Sequence, residues 1–170
     1  PSLKHPEQPS EGDGIRFIKN FAREGGALYN YASKGICKPT IAKCLFVDNL
    51  ATLEGGAIYN DGTHGLCVPR IVKCEINNNE AMYGAGISNR SAYGESWPIV
   101  SNCTFSRNLA HMKGASIFSK EEDQGKCGVV LRACVFSENE SSLGSGNEVS
   151  GTVSNMSQSG SNQGISRSYK

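Results

Sequence analysis

The seven cysteines of this sequence are the residues most able to do chemistry, because a thiol can bind a metal ion or form a disulfide. They fall into two sets, and each member of the first set lies seven residues before a member of the second. The first set is Cys37, Cys67 and Cys127, and the second is Cys44, Cys74, Cys103 and Cys134. Ser96 stands where the first set lacks a member. This regularity predicts two columns of cysteines in a repeating fold.

The same spacing argues against a metal centre. The sequence contains no Cys-x-x-Cys pair, and its three histidines, His5, His64 and His111, do not lie at the spacing of zinc ligands. We therefore expect no metal site and no cofactor.

Two disulfide schemes and one scheme of free thiols are open for an exported chain. One scheme joins neighbours within a column, since adjacent rows of a sheet lie about 4.8 Å apart, inside the range of Cα separations that disulfides allow. Its pairs are Cys37 with Cys67, Cys44 with Cys74, and Cys103 with Cys134. The constant spacing of seven favours the other scheme, in which Cys37 pairs with Cys44, Cys67 with Cys74, and Cys127 with Cys134. In the third scheme the thiols stay free and pack as small apolar groups.

Acidic residues are the other candidates for chemistry, since enzymes that cleave polysaccharides use pairs or clusters of carboxylates. The carboxylates of this chain are scattered over different positions of the repeat: Asp48, Glu54, Asp61, Glu75, Glu80, Glu121, Glu122 and Asp123. Only Asp48 and Glu138 occupy equivalent positions, and they lie three repeats apart. The pattern is typical of a solvated surface, and it predicts no enzyme and no catalytic residue.

An internal repeat of about 30 residues sets the positions of all these side chains. Its core is an aromatic or isoleucine column whose members step by 29, 30, 29 and 31 residues: Phe17, Phe46, Ile76, Phe105 and Phe136. An asparagine follows each member by three residues: Asn20, Asn49, Asn79, Asn108 and Asn139. A second motif, Gly-Gly-Ala-Leu/Ile, has its clearest copies at Gly25–Gly26 and Gly55–Gly56 and looser copies at 84–86 and 114–116.

These repeats predict the fold class. The short alternating stretches, separated by glycine, asparagine or proline, predict strands, and a unit of this size buries its apolar face only by stacking on its neighbours. We therefore predict an all-β, single-stranded parallel β-helix, or β-solenoid, with about five rungs of 29–31 residues. The phenylalanines would stack inside. The asparagines would form an amide ladder in a left-handed turn conformation, and the glycine pairs would form a tight corner.

Composition excludes two classes of partner. The net charge of +1 and the isoelectric point of about 8.0 provide no basic field for nucleic acid. No apolar run approaches the ~18 residues that a membrane-spanning helix needs, so we expect no transmembrane segment.

The alternation of Gly-Gly-Ala-Leu/Ile with Phe-x-x-Asn resembles the repeats of chlamydial polymorphic outer-membrane proteins and related bacterial surface proteins. The motifs that carry the resemblance lie at 17–20, 25–28, 46–49, 55–58, 105–108 and 136–139. It covers roughly residues 12 to 148, far fewer rungs than those long proteins contain. The resemblance implies a right-handed parallel β-helix that is displayed outside the cell and usually serves in adhesion.

Three segments are expected: an extended N-terminal segment at 1–11, the parallel β-helix at 12–148, and a Ser/Gly/Asn-rich segment at 149–170 that docks on a neighbouring subunit. Neither end carries an amphipathic helix that would cap a solenoid, and open strand edges template further strands.

We therefore expect a non-enzymatic, extracellular structural protein at the surface of a bacterium, a subunit of a self-assembling filament or appendage with an adhesive use. Its partners would be further copies of itself, joined through the ends. The alternative is a carbohydrate-binding or polysaccharide-cleaving β-helix module whose partners are surface glycans. A surface column of aromatic and acidic side chains over three or more rungs would favour this alternative, and the sequence shows none.

Overall fold

The computed structural model describes residues 14–143 and 148–155, and every regular element in these ranges is a β-strand. The first rung contains β1 (Arg16–Ile18), β2 (Phe21–Glu24), β3 (Leu28–Tyr31), β4 (Ile36–Cys37) and β5 (Thr40–Ala42). The second rung contains β6 (Leu45–Val47), β7 (Leu50–Glu54), β8 (Ile58–Asp61), β9 (Leu66–Cys67) and β10 (Arg70–Val72).

The later rungs repeat this order of short strands. The third rung contains β11 (Glu75–Asn77), β12 (Glu80–Tyr83), β13 (Ile87–Ala92), β14 (Glu95–Ser96) and β15 (Ile99–Ser101). The fourth rung contains β16 (Thr104–Ser106), β17 (Leu109–Lys113), β18 (Ile117–Glu122), β19 (Lys126–Cys127) and β20 (Val129–Arg132). The fifth rung contains β21 (Val135–Ser137), β22 (Glu140–Ser141), β23 (Val149–Ser150) and β24 (Val153–Asn155).

Strands at the same place in successive rungs pair in parallel and form five sheets, as a solenoid of about four full turns requires. Sheet 1 runs β1-β6-β11-β16-β21, sheet 2 runs β2-β7-β12-β17-β22, and sheet 3 runs β3-β8-β13-β18-β23. Sheet 4 runs β4-β9-β14-β19, and sheet 5 runs β5-β10-β15-β20-β24. The predicted all-β parallel solenoid is confirmed, and its right-handedness stays a prediction.

The register of sheet 1 stacks the aromatic column inside the solenoid. Phe17 lies opposite Phe46, and Phe105 lies opposite Phe136. The ring centroids of these two pairs are 4.7 and 5.1 Å apart, with nearly parallel planes. Phe46 and Phe105 are fully buried, so the rows of the sheet supply the walls of one continuous apolar core.

The turn between sheets 1 and 2 differs from the prediction in one respect. The positive φ angles do not belong to the asparagines but to the residues just before them, which have φ values of 53° to 56°: Lys19, Asp48, Asn78, Arg107 and Glu138. These residues are exposed, whereas the asparagine side chains point into the ladder. The residue before each asparagine therefore adopts the left-handed conformation, because its side chain points outward and takes no part in the ladder.

The glycine pairs make the corner between sheets 2 and 3. Gly55 has a φ of +68°, and Gly56 lies so close to the next rung that an added Cβ would be 2.3 Å from the Ala85 carbonyl oxygen. The first glycine of the pair thus supplies the turn, and the second supplies the close approach of rungs.

The solenoid continues beyond the expected boundary at 148. β23 pairs with β18, and β24 pairs with β20, so residues up to Asn155 extend the sheets of this chain itself. The expected extended segment at 1–11 and the docking role of residues 156–170 lie outside the described residues.

Candidate functional site

Two asparagine ladders run along the solenoid. In the first, the Nδ2 group of each asparagine donates to the Oδ1 of the next: Asn20 to Asn49, Asn49 to Asn79, Asn79 to Asn108, and Asn108 to Asn139, at 2.8 to 3.0 Å. The second ladder runs from Asn30 to Asn60, Asn89 and Ser119 at 2.8 to 3.0 Å. All of these bonds point from an earlier rung to a later one, so each ladder has a direction.

The buried members of the first ladder are fully bonded. Asn79 also donates to the Phe46 carbonyl oxygen at 3.1 Å, and its Oδ1 accepts the backbone N–H of Asn49 at 3.1 Å. Because these groups lie away from water, their hydrogen bonds offset the free-energy cost of burying the polar atoms of the turn. The asparagines therefore hold the rungs together rather than bind a ligand.

All seven cysteines lie in the described part of the chain and are free thiols, so the candidate disulfides are not formed in the structure. The structure separates the two cysteines of one rung, contrary to the within-rung scheme: Cys37 ends β4, Cys44 precedes β6, and β5 lies between them. Neighbours within a column do approach each other, since Cys37 and Cys67 are paired in register. Cys127 is paired in register with Ser96.

The second cysteine column consists of Cys44, Cys74, Cys103 and Cys134, each just before a strand of sheet 1. The sulfur atoms of Cys74 and Cys103 each lie 3.3 to 3.5 Å from two possible acceptors, the backbone oxygen two residues before and a carbonyl oxygen of the preceding rung. Burial raises the pKa of Cys44, whereas a hydrogen bond with Cys103 lowers the pKa of both Cys74 and Cys134 to about 7. The hydrogen bonds with Cys134 and Cys74 raise the pKa of Cys103, so the thiols of the column differ in how readily they ionise.

A concave corner between sheets 2 and 3 gathers polar and aromatic side chains on the outer surface. The Ser88 hydroxyl donates to Glu54 Oε2 at 2.9 Å, and the Tyr29 hydroxyl donates to Asp61 Oδ2 at 3.3 Å. Arg90 Nε donates to Glu122 Oε2 at 2.9 Å, and Lys120 also pairs with Glu122. These contacts all link one rung to another or lie along the outer face of sheet 3.

The pKa values of the two carboxyls of this corner, Glu54 and Glu122, are shifted in opposite directions. Burial raises the pKa of Glu54, which is only 6% exposed, and the Ser88 hydrogen bond opposes this only in part. The hydrogen bonds of Glu122 with Lys120 and Arg90 lower the pKa of that carboxyl. Burial thus favours the neutral form of Glu54, the two bases favour the charged form of Glu122, and each carboxyl is already held by protein partners.

The aromatic column of this corner is interrupted. The register of sheet 3 aligns Tyr29, Tyr59, Ser88 and Phe118. Tyr59 and Phe118 are buried against neighbouring rings, and Tyr83 packs on Phe118 at 5.0 Å. Tyr29 is the one member of this column that exposes its ring, and Tyr31 beside it is exposed as well. The corner is thus mainly a packed seam.

A surface hollow of about 300 Å³ lies at the first three rungs, and its lining includes Arg16, Lys43, Cys44, Lys73 and Glu75. Within the described ranges no three His, Cys, Asp or Glu side chains are placed to hold a metal ion. Nor does that part of the chain form a helix long and apolar enough to cross a membrane.

The geometry defines a parallel β-solenoid repeat protein. Residues 43–61, which run from Lys43 through the second amide turn and glycine corner to Asp61, match the model of the Chlamydia polymorphic membrane protein repeat. This match and the solenoid together confirm the resemblance found in the sequence. No curated protein and no solved structure matches the chain.

Ser88 and Arg90 lie in no motif that marks them in the sequence, and Glu122 belongs to a run of charge that predicts a solvated surface. The signal for this cluster is the repeat length itself: Arg90 and Glu122 are 32 residues apart, and Glu54 and Ser88 are 34 apart. Residues about one repeat apart meet on neighbouring rungs, so complementary side chains at this spacing are candidates for contact.

Proposed function

We propose that this chain is a non-enzymatic structural protein of a bacterial cell surface, and that copies join end to end into a filament or appendage with an adhesive use. The repeat match supports the location, because the matching family is described as a membrane protein of Chlamydia. The arrangement of the two ends of the solenoid supports the assembly, and it is the observation that carries the proposal.

Within residues 14–143 and 148–155, the outermost strands at each end have one neighbour, and core side chains there are partly exposed. Among the described strands, β1 to β5 pair on one side only, as do β21 to β24. Phe17 and Phe136 are half-buried, whereas Phe46 and Phe105 between them are fully buried. A further rung on either end would cover these side chains and pair these edges.

The amide ladder gives the joint a direction. Among the described residues the ladder begins at Asn20, which donates to Asn49 Oδ1 and accepts no bond from an earlier asparagine. At the other end Asn139 Nδ2 donates to Glu148 Oε2 at 2.9 Å, where a further rung would supply an amide oxygen. Asn139 Nδ2 also donates to the Phe105 carbonyl oxygen at 3.0 Å, so a second copy would continue the ladder by replacing Glu148. Such a head-to-tail contact repeats without closing and makes a filament.

The charges of the two ends are opposite. Between residues 14 and 43 the chain has one acid, Glu24, and six exposed bases: Arg16, Lys19, Arg23, Lys34, Lys38 and Lys43. Between 133 and 155 it has Glu138, Glu140 and Glu148 and no Lys or Arg. If a second copy continued the solenoid in register, its Lys19 would follow Glu138 in the column of left-handed residues. Such complementarity favours one orientation of docking.

The test is negative-stain electron microscopy of the full chain, with and without reductant. We expect filaments from the unaltered chain, shorter or absent filaments from Glu138→Lys and from Lys19→Glu, and restored filaments from the double variant. Glu75→Lys, in the middle of sheet 1, is the control and should leave assembly unchanged. Isolated short rods at high protein concentration would refute the assembly.

The absence of catalysis is part of the proposal. It is supported by the state of the carboxyls in the concave corner, because Glu54 is buried under Ser88 and Glu122 is paired with two bases. Incubation of the chain with acidic and neutral polysaccharides should release no new reducing ends and no unsaturated products. Release that Glu54→Gln abolishes would overturn this part.

Glycan binding is a second candidate, and the tyrosines of the first rung favour it. Tyr29 and Tyr31 expose 48% and 56% of their surface, with ring centroids 6.1 Å apart, and Asp61 lies beside them. Exposed rings next to a carboxylate suit the apolar faces and hydroxyls of sugars. A glycan array would test this, and Tyr31→Ala should remove any signal that Tyr93→Ala leaves intact.

A further inference from the structure

The second cysteine column is unusual because it runs through four successive rungs without interruption. The backbone holds its members in register: Glu75 donates to the Cys44 carbonyl oxygen, Thr104 to that of Cys74, and Val135 to that of Cys103, at 2.9 to 3.0 Å. The Cys74 N–H also reaches Cys103 Sγ at 3.4 Å. The backbone pairing therefore places each cysteine of the column beside the equivalent cysteine of the next rung.

We propose that this column is a site of thiol–disulfide exchange, at which a small-molecule disulfide such as oxidised glutathione links neighbouring rungs through Cys44 with Cys74 and Cys103 with Cys134. Adjacent rows lie about 4.8 Å apart, within the range of Cα separations of disulfides. These two links use all four thiols, whereas a link between Cys74 and Cys103 would leave the outer two without a partner. The proposal does not depend on end-to-end assembly.

The first cysteine column supplies an internal contrast. Cys37 and Cys67 are paired in register, so they are expected to link in the same way. Ser96 separates Cys67 from Cys127, because it is paired in register with both. Two rows amount to about 10 Å, which is beyond the reach of a disulfide. Cys127 therefore stays a thiol.

The chemistry begins at Cys134, which is 7% exposed and lies in the last of the four positions. Its thiolate is available near neutral pH, because the hydrogen bond with Cys103 lowers its pKa to about 7. The thiolate attacks one sulfur of oxidised glutathione, which forms a mixed disulfide and releases one glutathione thiolate. Cys103, whose pKa is raised by its hydrogen bonds with Cys134 and Cys74 and by burial, then gives its proton to the released glutathione thiolate. The Cys103 thiolate attacks the Cys134 sulfur, which releases the second glutathione.

This exchange balances, since two protein thiols lose two protons and two electrons and one glutathione disulfide becomes two glutathione thiols. Cys44 is equally exposed, but burial raises its pKa. We therefore expect the link between Cys44 and Cys74 to form more slowly than the link between Cys103 and Cys134.

The experiment uses the full chain, purified under reducing conditions and then exposed to a glutathione redox buffer. Samples are quenched with acid, alkylated, digested and mapped by mass spectrometry over time. The expected order is Cys103 with Cys134 first, then Cys44 with Cys74 and Cys37 with Cys67, while Cys127 is recovered alkylated. Links within a rung, a link of Cys74 with Cys103, or seven thiols that stay free while a dithiol peptide oxidises would each overturn the proposal.

Two variants keep the test independent of folding yield. In Cys103→Ser we expect Cys134 to carry glutathione only, while Cys44 and Cys74 still form their link. In Ser96→Cys, the first column becomes continuous, and Cys127 is expected to enter a disulfide with the new thiol at position 96. A Cys127 that stays free in Ser96→Cys would refute linkage between column neighbours.

Discussion

The middle rungs and the outer rungs of this solenoid have the same motifs but different surroundings. Phe46 and Phe105 are completely buried, and Asn49, Asn79 and Asn108 are buried with them. In the outer rungs Phe17, Phe136 and Asn139 are half-buried, and Asn20 is exposed. Identical residues therefore have different energetic weight, because each rung is buried by its neighbours and not by itself.

The phenylalanine column gives the largest contrast. Phe105→Ala removes a ring enclosed on both sides and should cost about 3–5 kcal/mol in the free energy of unfolding. Phe17→Ala removes a half-buried ring and should cost about half as much or less. Urea unfolding of both variants measures the difference. Equal losses would mean that a partner or another part of the chain covers the first rung.

The amide ladder gives the next contrast. Asn79→Ala leaves the buried N–H of Asn49 and the Phe46 carbonyl oxygen without their partners. Because unsatisfied buried groups are costly, we expect a loss of about 3 kcal/mol. Asn20→Ala is the matched change in the exposed first rung and should cost less than about 1 kcal/mol. A similar loss for both would contradict the role of burial, and thermal unfolding is a sufficient measurement.

The glycine corner tests close packing between rungs. In Gly56→Ala the new Cβ would be 2.3 Å from the Ala85 carbonyl oxygen, and the rungs would have to separate. We expect a loss of about 2 kcal/mol. Gly35→Ala, whose Cβ would be 3.8 Å from the nearest atom, is the control in a loop of the first rung. If both variants unfold at the same temperature as the unaltered chain, the rungs are less tightly stacked than the 2.3 Å separation indicates.

The smallest effect concerns pH. Burial raises the pKa of Glu54, so the folded state holds this proton more tightly than the unfolded state, and stability falls as the pH rises from the unfolded value of about 4.3 through the folded value. Glu54→Gln removes this loss and should be more stable than the unaltered chain at pH 7 but not at pH 4.

The control for the pH prediction is Glu24→Gln, in the same column of the first rung. This substitution removes a pair with Arg23 at 3.3 Å, so no gain in stability is expected at pH 7. Denaturant midpoints of the three proteins at both pH values decide the point. A gain for Glu24→Gln that equals the gain for Glu54→Gln would show that general charge repulsion, not burial, sets the pH dependence.

The repeat made the fold predictable. A fixed spacing of Phe17, Phe46 and Phe105 requires that equivalent residues stack, and stacking of short strands leads to parallel sheets. The amide ladder followed from the same spacing. The position of the left-handed residue did not follow from the spacing, because the residue type there varies from Lys19 to Glu138. The residue before each asparagine adopts this conformation because the asparagine side chain must point into the ladder.

The concave corner was harder to predict, because its contacts join different positions of the repeat. Glu54 meets Ser88 only because a corner folds sheet 2 against sheet 3, and no column contains both residues. For the cysteines, the sequence left pairing within a column and pairing within a rung both open. The constant spacing of seven within a rung suggested one set of partners, but β5 separates those residues and brings column neighbours together instead.

The parallel pairing of successive rungs also sets how this molecule bears load. The ladder hydrogen bonds lie along the long axis, so a pull on the two ends of the chain strains the bonds of one outer rung before it reaches the next. Each rung that peels away releases about 30 residues, or about 100 Å of extended chain. Under such a pull we therefore expect the solenoid to unfold one rung at a time and to lengthen in steps.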